Sequence, residues 1–339
     1  MLNYSLRDSI KKTTVLGDRT LQQQDNLFHI TYGTDANYQL GVGISIVSVL
    51  INNTERRFVF HIFTEACSDE YLANLEEIAR KYSTLIVIYD VDAAFFTTLP
   101  STKAWSHAMY YRLLAYEYLD SQTDRVLYLD ADVMCAGNLS AFADVDFGES
   151  IAVVVDDLPG TKARSIERLS SLLADREHYF NSGVMCVNLK AWHAQNLTHR
   201  ALEMLQSSDY GAVIKYPDQD VLNVLLSRKL IYFPHRFNTV FTLKSELKDK
   251  THQKYLTVIT DDTVLVHYTG ITKPWHAWAG YRSRDVFNNA WQASPWRDSP
   301  LQAAKSRVEM QKAYKHQFTQ GHYLSGVMAL IRYKIKKIL

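Results

Sequence analysis

Asp130 and Asp132 stand one residue apart where the apolar run 126–129 ends, and the chemistry such a pair can do is cation binding. A short run rich in β-branched and aromatic residues predicts a buried strand over 126–133. Alternate residues of a strand share a face, so both carboxylates would reach one hard ion, Mg2+ or Mn2+, of the kind that oxygen ligands hold. An ion held there can grip a diphosphate. The bland alternative is a loop pair that caps the next helix or is simply solvated, and the motif by itself does not separate the two.

Other stretches carry polar groups of a matching kind. The run 264–266 leads into His267, a third potential ligand; Gly270 then permits close backbone approach, and Lys273 supplies a point charge suited to phosphate. A histidine behind a strand can equally be a packed, hydrogen-bonded residue. Gly33, Asp35, Asn37 and Tyr38 follow a strand expected over 27–32, at the kind of βα turn where open α/β sheets bind nucleotides. Asp35 could accept from a base N–H and Tyr38 could stack on the base, or Asp35 or Asn37 could merely cap the helix expected over 41–50. Asp218 precedes an apolar face at helical spacing (Val221, Leu222, Leu225, Leu226) and is a credible N-cap, whereas capping does not explain Gln219. Arg112 lies in a helix expected over 106–119, with Ser106 as its cap; it is either an exposed charge or a cation turned toward sugar or phosphate. Asn181, Ser182 and Gly183, ahead of the run 184–189, suit close approach of a ligand or a β-bulge.

Strands over 58–63, 85–89 and 151–155 and a helix over 69–82 complete an alternation that predicts an α/β domain with a mainly parallel sheet. With 339 residues, 47% of them hydrophobic and 22% charged, the chain can bury a large core. A formal net charge of +1 argues against a general nucleic-acid binder. The three cysteines, Cys67, Cys135 and Cys186, lie far apart and suggest no disulfide framework, which fits a reducing cytoplasm. No apolar h-region marks the first 25 residues, and the run 42–51, broken by Gly43 and two serines, is too short to span a bilayer. We expect an N-terminal segment (1–25), a catalytic domain (26–285) and a basic helical extension (286–339). From Lys305 to Leu339 eight Lys or Arg residues face one acid, Glu309, and Leu324, Val327, Met328, Ile331, Ile335 and Ile338 recur at helical spacing. Such a basic amphipathic helix suits an anionic membrane surface, or docking on the catalytic domain.

The segments YLDADV (128–133), FNSGVMCVNLKAW (180–192), PDQDVLN (217–223) and HYTGITKPWH (267–276), in this order, resemble glycosyltransferase family 8. More narrowly, they are similar to the bacterial lipopolysaccharide core hexosyltransferases that use UDP-glucose or UDP-galactose. YGTDANY (32–38), GVGISIVSVLINN (41–53) and ASPWRDSPL (293–301) extend the likeness from about residue 27 to beyond 296. The resemblance implies a GT-A fold, a Rossmann-like sheet flanked by helices, and retaining transfer from a UDP-sugar to a lipopolysaccharide acceptor in α-linkage. It implies that Asp130, Asp132 and His267 hold the metal, that Lys273 and Gly270 contact the diphosphate, and that Asp35, Asn37 and Tyr38, with Gly33 in the same turn, lie along the uridine. Arg112, Asn181, Asp218 and Gln219 would surround the donor hexose, with Gln219 and Asp218 as catalytic candidates. An amide is a poor nucleophile, so front-face attack through an oxocarbenium-like ion pair stabilised by Gln219 is the expected course. The implied setting is the cytoplasm, peripheral on the inner face of the membrane, with no nucleic-acid partner.

Two rival readings remain. Asp130 could be the nucleophile of a phosphohydrolase in which Asp156 and Asp157 bind Mg2+. Alternatively, Trp275, Trp278 and Tyr281 could form the stacking platform of a membrane-associated carbohydrate-binding module.

Overall fold

In the computed structural model, which describes residues 6–23, 26–101, 106–211 and 213–338, the apolar runs assemble into two sheets. The larger has eight strands in the order β1 (Ile10–Gly17), β4 (Leu85–Val91), β3 (Phe58–Thr64), β2 (Phe28–Thr34), β5 (Arg125–Leu129), β8 (Val184–Asn188), β7 (Ala152–Val154) and β9 (Leu230–Tyr232). All run parallel except β1 and β8, as the alternation of strands and helices predicts. The smaller sheet is β10 (Thr239–Phe241), β11 (Leu265–Tyr268) and β6 (Val133–Cys135).

Period-two alternation divides the core. Ile30, Tyr32, Phe60, Ile62, Leu127 and Leu129 are buried on one face, beneath the helices Gln39–Asn52 and Asp285–Gln292. Val59, Phe63, Val126 and Tyr128 are buried on the other, beneath Tyr111–Leu119, Leu197–Gln206 and Pro217–Leu226. Burial of both faces is why these strands read as nearly continuous apolar runs. From β2 the chain proceeds through β3 to β4 on one side, and β5 then pairs on the other side of β2. The switch in strand order therefore falls between the carboxyl ends of β2 and β5, where open α/β sheets leave a crevice.

Several elements depart from the sequence pattern. The run 126–133 is not one strand: β5 ends at Leu129, a turn follows, and β6 starts at Val133 in the other sheet. Asp130 N donates to Gly183 O (2.8 Å), Val133 N to Asp130 O (3.0 Å) and Tyr268 N to Asp132 O (2.9 Å), so the turn is tied to both sheets. The 106–119 helix begins as a 3-10 turn, His107–Tyr110, and Ser106 makes no side-chain capping bond. Within 1–25, Ile10–Gly17 is an antiparallel edge strand, which its Lys11-Lys12-Thr13-Thr14 stretch did not suggest. Beyond residue 285, Phe287, Ala290 and Trp296 are buried with the first face.

The basic tail forms two helices, Arg307–Thr319 and Tyr323–Ile338, rather than one. Gly321 takes a left-handed conformation (φ +76°), and His322 N and Gly321 N bond back to Gln317 O (2.8 Å) and Phe318 O (3.1 Å). Those bonds satisfy the last carbonyls of the first helix and reverse the chain. The side chain of Ile338 lies outside the described residues. Among those described, no helix is long and apolar enough to cross a membrane.

Trp296 packs over Gly43, where any Cβ would collide with its ring, and tilts against Tyr71 at 5.8 Å. Replacing Trp296 by Ala removes this packing between the C-terminal region and Gln39–Asn52, and should cost roughly 3–5 kcal/mol in equilibrium urea unfolding.

Candidate active site

The turn between β5 and β6 and the end of β11 bring three ligand side chains together. One ligand atom from each of Asp130, Asp132 and His267 lies within 4.8 Å of the others. His267 Nε2 is 3.1 Å from Asp132 Oδ1 and 3.7 Å from Asp130 Oδ2. Asp130 is held by Arg112 Nη2 (2.9 Å) and Tyr128 OH (3.0 Å), both on its Oδ1, which leaves Oδ2 toward His267. The donor set, two carboxylates and one imidazole, fits a hard or borderline divalent ion.

Which nitrogen His267 presents follows from a chain of hydrogen bonds. The Gly183 N–H is an unambiguous donor to Asn181 Oδ1 (3.1 Å), and Asn238 Nδ2 donates to the same oxygen (3.1 Å). Asn238 must then turn its Oδ1 to His267 Nδ1 (3.1 Å), which therefore carries a proton. Nε2 remains as the nitrogen facing the acids, the usual arrangement behind a ligating histidine.

Lys273 Nζ closes the cluster, pairing with Asp132 Oδ2 and donating to Tyr268 O (3.1 Å). Burial alone would raise the Asp132 carboxyl, but Lys273 and His267 hold it below the usual carboxylate range. Burial would lower His267 and Lys273 in turn; Asp132, joined by Asp130 in both and by Tyr38 at Lys273, more than reverses this, so both lie above their ordinary values.

A second group of polar side chains adjoins the first through Arg112. Its guanidinium is buried, lies 4.2 Å from the Tyr128 ring centroid, pairs with Asp218 Oδ2 (3.3 Å) and donates to Ser182 O (2.6 Å). It is thus neither an exposed charge nor a free cation. Asp218 is not the expected N-cap: Tyr216 holds that position without a side-chain bond, and Asp220 accepts from Lys215 N (2.7 Å) and Tyr216 N (2.8 Å) instead. Asp218 Oδ2 accepts from Ser182 Oγ (3.3 Å), and burial, only partly offset by Arg112, pushes its carboxyl up. Gln219 Oε1 accepts from Ser182 N (3.1 Å), while its Nε2 donates to Asp157 Oδ2 (3.0 Å) and Tyr179 OH (3.1 Å). Asn181 Nδ2 reaches the same Asp157 oxygen at 3.5 Å.

The β2 turn is the third part. Tyr38 packs edge-on against Trp275 (5.7 Å), with Lys273 Nζ 5.6 Å from its ring centroid, so it borders the ion cluster. Asp35 and Asn37 do not cap the helix; Asp35 Oδ1 accepts from Asn37 N (2.8 Å), and Asn37 is exposed. Gly33 makes room for the chain at Ala108–Tyr111, since a Cβ would come within 2.9 Å of Ala108 O. Gly270 is exposed at φ +92°, a conformation that favours glycine.

The two rival readings lose their geometry. Asp156 pairs with Lys162 (2.7 Å) and His178 (3.0 Å), and Asp157 with Gln219, so neither joins Asp130 at a common ion. Trp275, Trp278 and Tyr281 are buried and cannot offer a stacking platform. Asn238 and Tyr179 adjoin the cluster although spacing assigned them no part in it, and Asp157 enters as a partner of Gln219 rather than as a metal ligand. Asn238 in particular lies between two short elements and carries no pattern of its own.

A family model described as Glycosyl transferase family 8 matches residues 29–279, and its C-terminal companion matches 281–337. The chain is 43% identical over 311 residues to a lipopolysaccharide 1,2-glucosyltransferase of Escherichia coli K12, covering 91% of this chain and 90% of that one. It is 39% identical over 315 residues to a lipopolysaccharide 1,3-galactosyltransferase of Salmonella typhimurium LT2, covering 92% of each. The crystal structure of the galactosyltransferase LgtC with donor and acceptor sugar analogs superposes with a TM-score of 0.66 at 26% identity, over 80% of this chain and 99% of that one.

A Cβ at Gly183 would collide with His267 Cε1 and come within 2.7 Å of Asp130 Oδ2. Gly183→Ala, and Asn238→Leu through loss of the His267 bond, should each weaken Mn2+ binding by roughly ten- to a hundredfold, the scale for residues that orient ligands. Titration of free Mn2+ by electron paramagnetic resonance reads this directly.

Proposed function

The chain belongs to glycosyl transferase family 8, and we propose that it is a retaining hexosyltransferase moving glucose or galactose from a UDP-sugar to the lipopolysaccharide core in α-linkage. The observation that carries this reading is the convergence of Asp130, Asp132 and His267 at the switch point between β2 and β5, with Lys273 beside them. The named activities of the two lipopolysaccharide transferases, which align over nearly the whole chain, support the choice of acceptor.

In this reading Asp130, Asp132 and His267 hold a divalent ion, Mg2+ or Mn2+. When bound, that ion supplies positive charge against the pyrophosphate that departs as UDP. Lys273 adds a second positive charge on the same side, and Tyr38 lies beside it for the nucleoside. Arg112, between Asp130 and Asp218, holds both carboxylates in place and offsets part of the cost of burying Asp218. The Gln219 amide already donates to Asp157 and Tyr179 and accepts from Ser182, so it is held rigid, with one carbonyl lone pair left over. A fixed dipole of that kind suits stabilisation of positive charge developing at the anomeric carbon, rather than nucleophilic attack. The acceptor hydroxyl then bonds to the anomeric carbon from the face that UDP leaves, and its proton passes to the departing diphosphate. Asp218, with its raised affinity for a proton and its tie to Arg112, positions the donor site.

The C-terminal hairpin gives the protein a face for the membrane that displays the acceptor. Leu324 is 85% exposed, and Val327, Met328, Ile331 and Ile335 continue one uncovered stripe flanked by exposed Arg332, Lys334 and Lys336. An apolar stripe with a basic border suits the anionic, cytoplasmic leaflet.

Asp132→Ala should lower UDP release from UDP-glucose or UDP-galactose on a truncated lipopolysaccharide by roughly a thousandfold, the scale of a lost principal electrostatic contribution. Chelation of the metal should do the same to the unaltered enzyme. A β-linked sugar trapped on Asp218 or any other side chain, detected by mass spectrometry, would contradict the front-face course. Substituting Leu324→Glu and Ile331→Glu together should abolish flotation with vesicles containing anionic lipid while leaving turnover on a soluble acceptor fragment unchanged.

A further inference from the structure

The segment from Gly270 to Trp278 that carries Lys273 is not a strand; its backbone meets Gln302 in a single bridge at His276 (Ala277 N to Gln302 O, 2.9 Å; Gln302 N to Trp275 O, 3.0 Å), and side chains fasten the part around Lys273 further. Its own fastening is His276, whose Nδ1 accepts from Lys273 N (3.0 Å) and whose ring stacks on Trp278 at 4.1 Å. Arg284 Nη1 donates to Pro274 O (3.0 Å) and His276 O (3.3 Å). Two further fastenings come from the C-terminal hairpin. His316, fully buried on Arg307–Thr319, meets Thr272 Oγ1 through Nε2 (3.2 Å) and Tyr281 OH through Nδ1 (2.8 Å). Just past that helix, Gln320 Nε2 donates to Trp278 O (2.7 Å), and Gly280 accommodates it, since a Cβ there would lie 2.8 Å from Gln320 Oε1.

Thr272 is the residue before Lys273 and is itself buried. A neutral imidazole has one donor and one acceptor nitrogen, and the two hydroxyls opposite can each play either part. Both bonds are therefore satisfied in either tautomer, and burial, which lowers the His316 pKa to about 4, keeps the ring neutral. The backbone at Thr272 is fixed from outside the donor site by a residue of the C-terminal helix. The other helix, Tyr323–Ile338, packs back on the first through Tyr333 on Tyr314 (5.6 Å) and Lys336 Nζ on Lys305 O (3.3 Å). A continuous series of contacts thus leads from the apolar stripe to Lys273.

We propose that His316 is a positioning residue for Lys273, acting through Thr272, so that the C-terminal hairpin sets the geometry of the diphosphate site as well as facing the membrane. The proposal rests on the reading of Lys273 as a diphosphate contact. It explains why a module outside the sheet sends a buried, doubly bonded histidine onto a loop that the catalytic domain already closes with its own His276.

The test is UDP affinity by calorimetry, with Mn2+ present and no acceptor, on the full chain and on His316→Ala, Thr272→Val, the double variant and His316→Gln. The expected result is a roughly fivefold weaker affinity in each single variant, the scale of one net hydrogen bond, and no further loss in the double variant. His316→Gln, whose amide can keep the bond to Thr272, should recover most of the affinity. Unchanged UDP affinity in the single variants, with or without a lower melting temperature, overturns the proposal, as do losses that simply add. Failure of the unaltered chain to bind UDP overturns the reading of the donor site itself.

Discussion

The structure depends on keeping a buried set of opposite charges matched. Asp132 and Asp218, with the partly exposed Asp130, face Arg112, His267 and Lys273 within a few ångströms. Desolvation costs several kcal/mol per buried ion, and removing one partner leaves the rest uncompensated. The opposed pKa directions of Asp132, lowered, and Asp218, raised, report where that compensation is complete and where it is not. A cluster so expensive to bury, at a crevice of the sheet, has the character of a functional site.

Two sheets make such a cluster rigid. Asp130 is fixed by the ladder of β5 and β8, whereas His267 is fixed by β11 of the smaller sheet, so the distance between them is a property of how the sheets meet. Small residues set that approach. Gly41 lets Gln39–Asn52 come down onto Ala131 and Trp275, and Gly183 leaves the space that His267 occupies. Ser45 and Ser48 on the same helix bond Val133 O (2.6 Å) and Cys135 N (2.8 Å), which fastens β6 as it leaves the turn.

The hairpin at the C-terminus has two unlike faces. Its outer helix keeps Leu324, Val327, Met328, Ile331 and Ile335 uncovered. Its inner helix buries His316 and docks Gln320 against the loop that bears Lys273. A displacement of the hairpin would therefore be felt at the loop that bears Lys273.

Much was legible from residue order alone, because it rests on local rules. Short apolar runs gave the strands β2 to β5, the helix expected over 69–82 is Asp69–Lys81, and the motif residues Asp130, Asp132, His267 and Lys273 do meet. What the order of residues could not decide is which acids matter. Asp90 and Asp92 follow an equally apolar strand at the same spacing, yet Asp92 pairs with Lys11 (3.3 Å) at the sheet edge. Asp130 and Asp132 differ only because β5 lies beside the switch point, where the chain crosses into a second sheet and finds an imidazole and an ammonium. The partners Asn238, Asp157 and Tyr179, and the broken strand at the turn itself, likewise follow from contacts between segments far apart in the chain. Local periodicity determines what a segment becomes; only the packing of remote segments determines what a charged side chain faces.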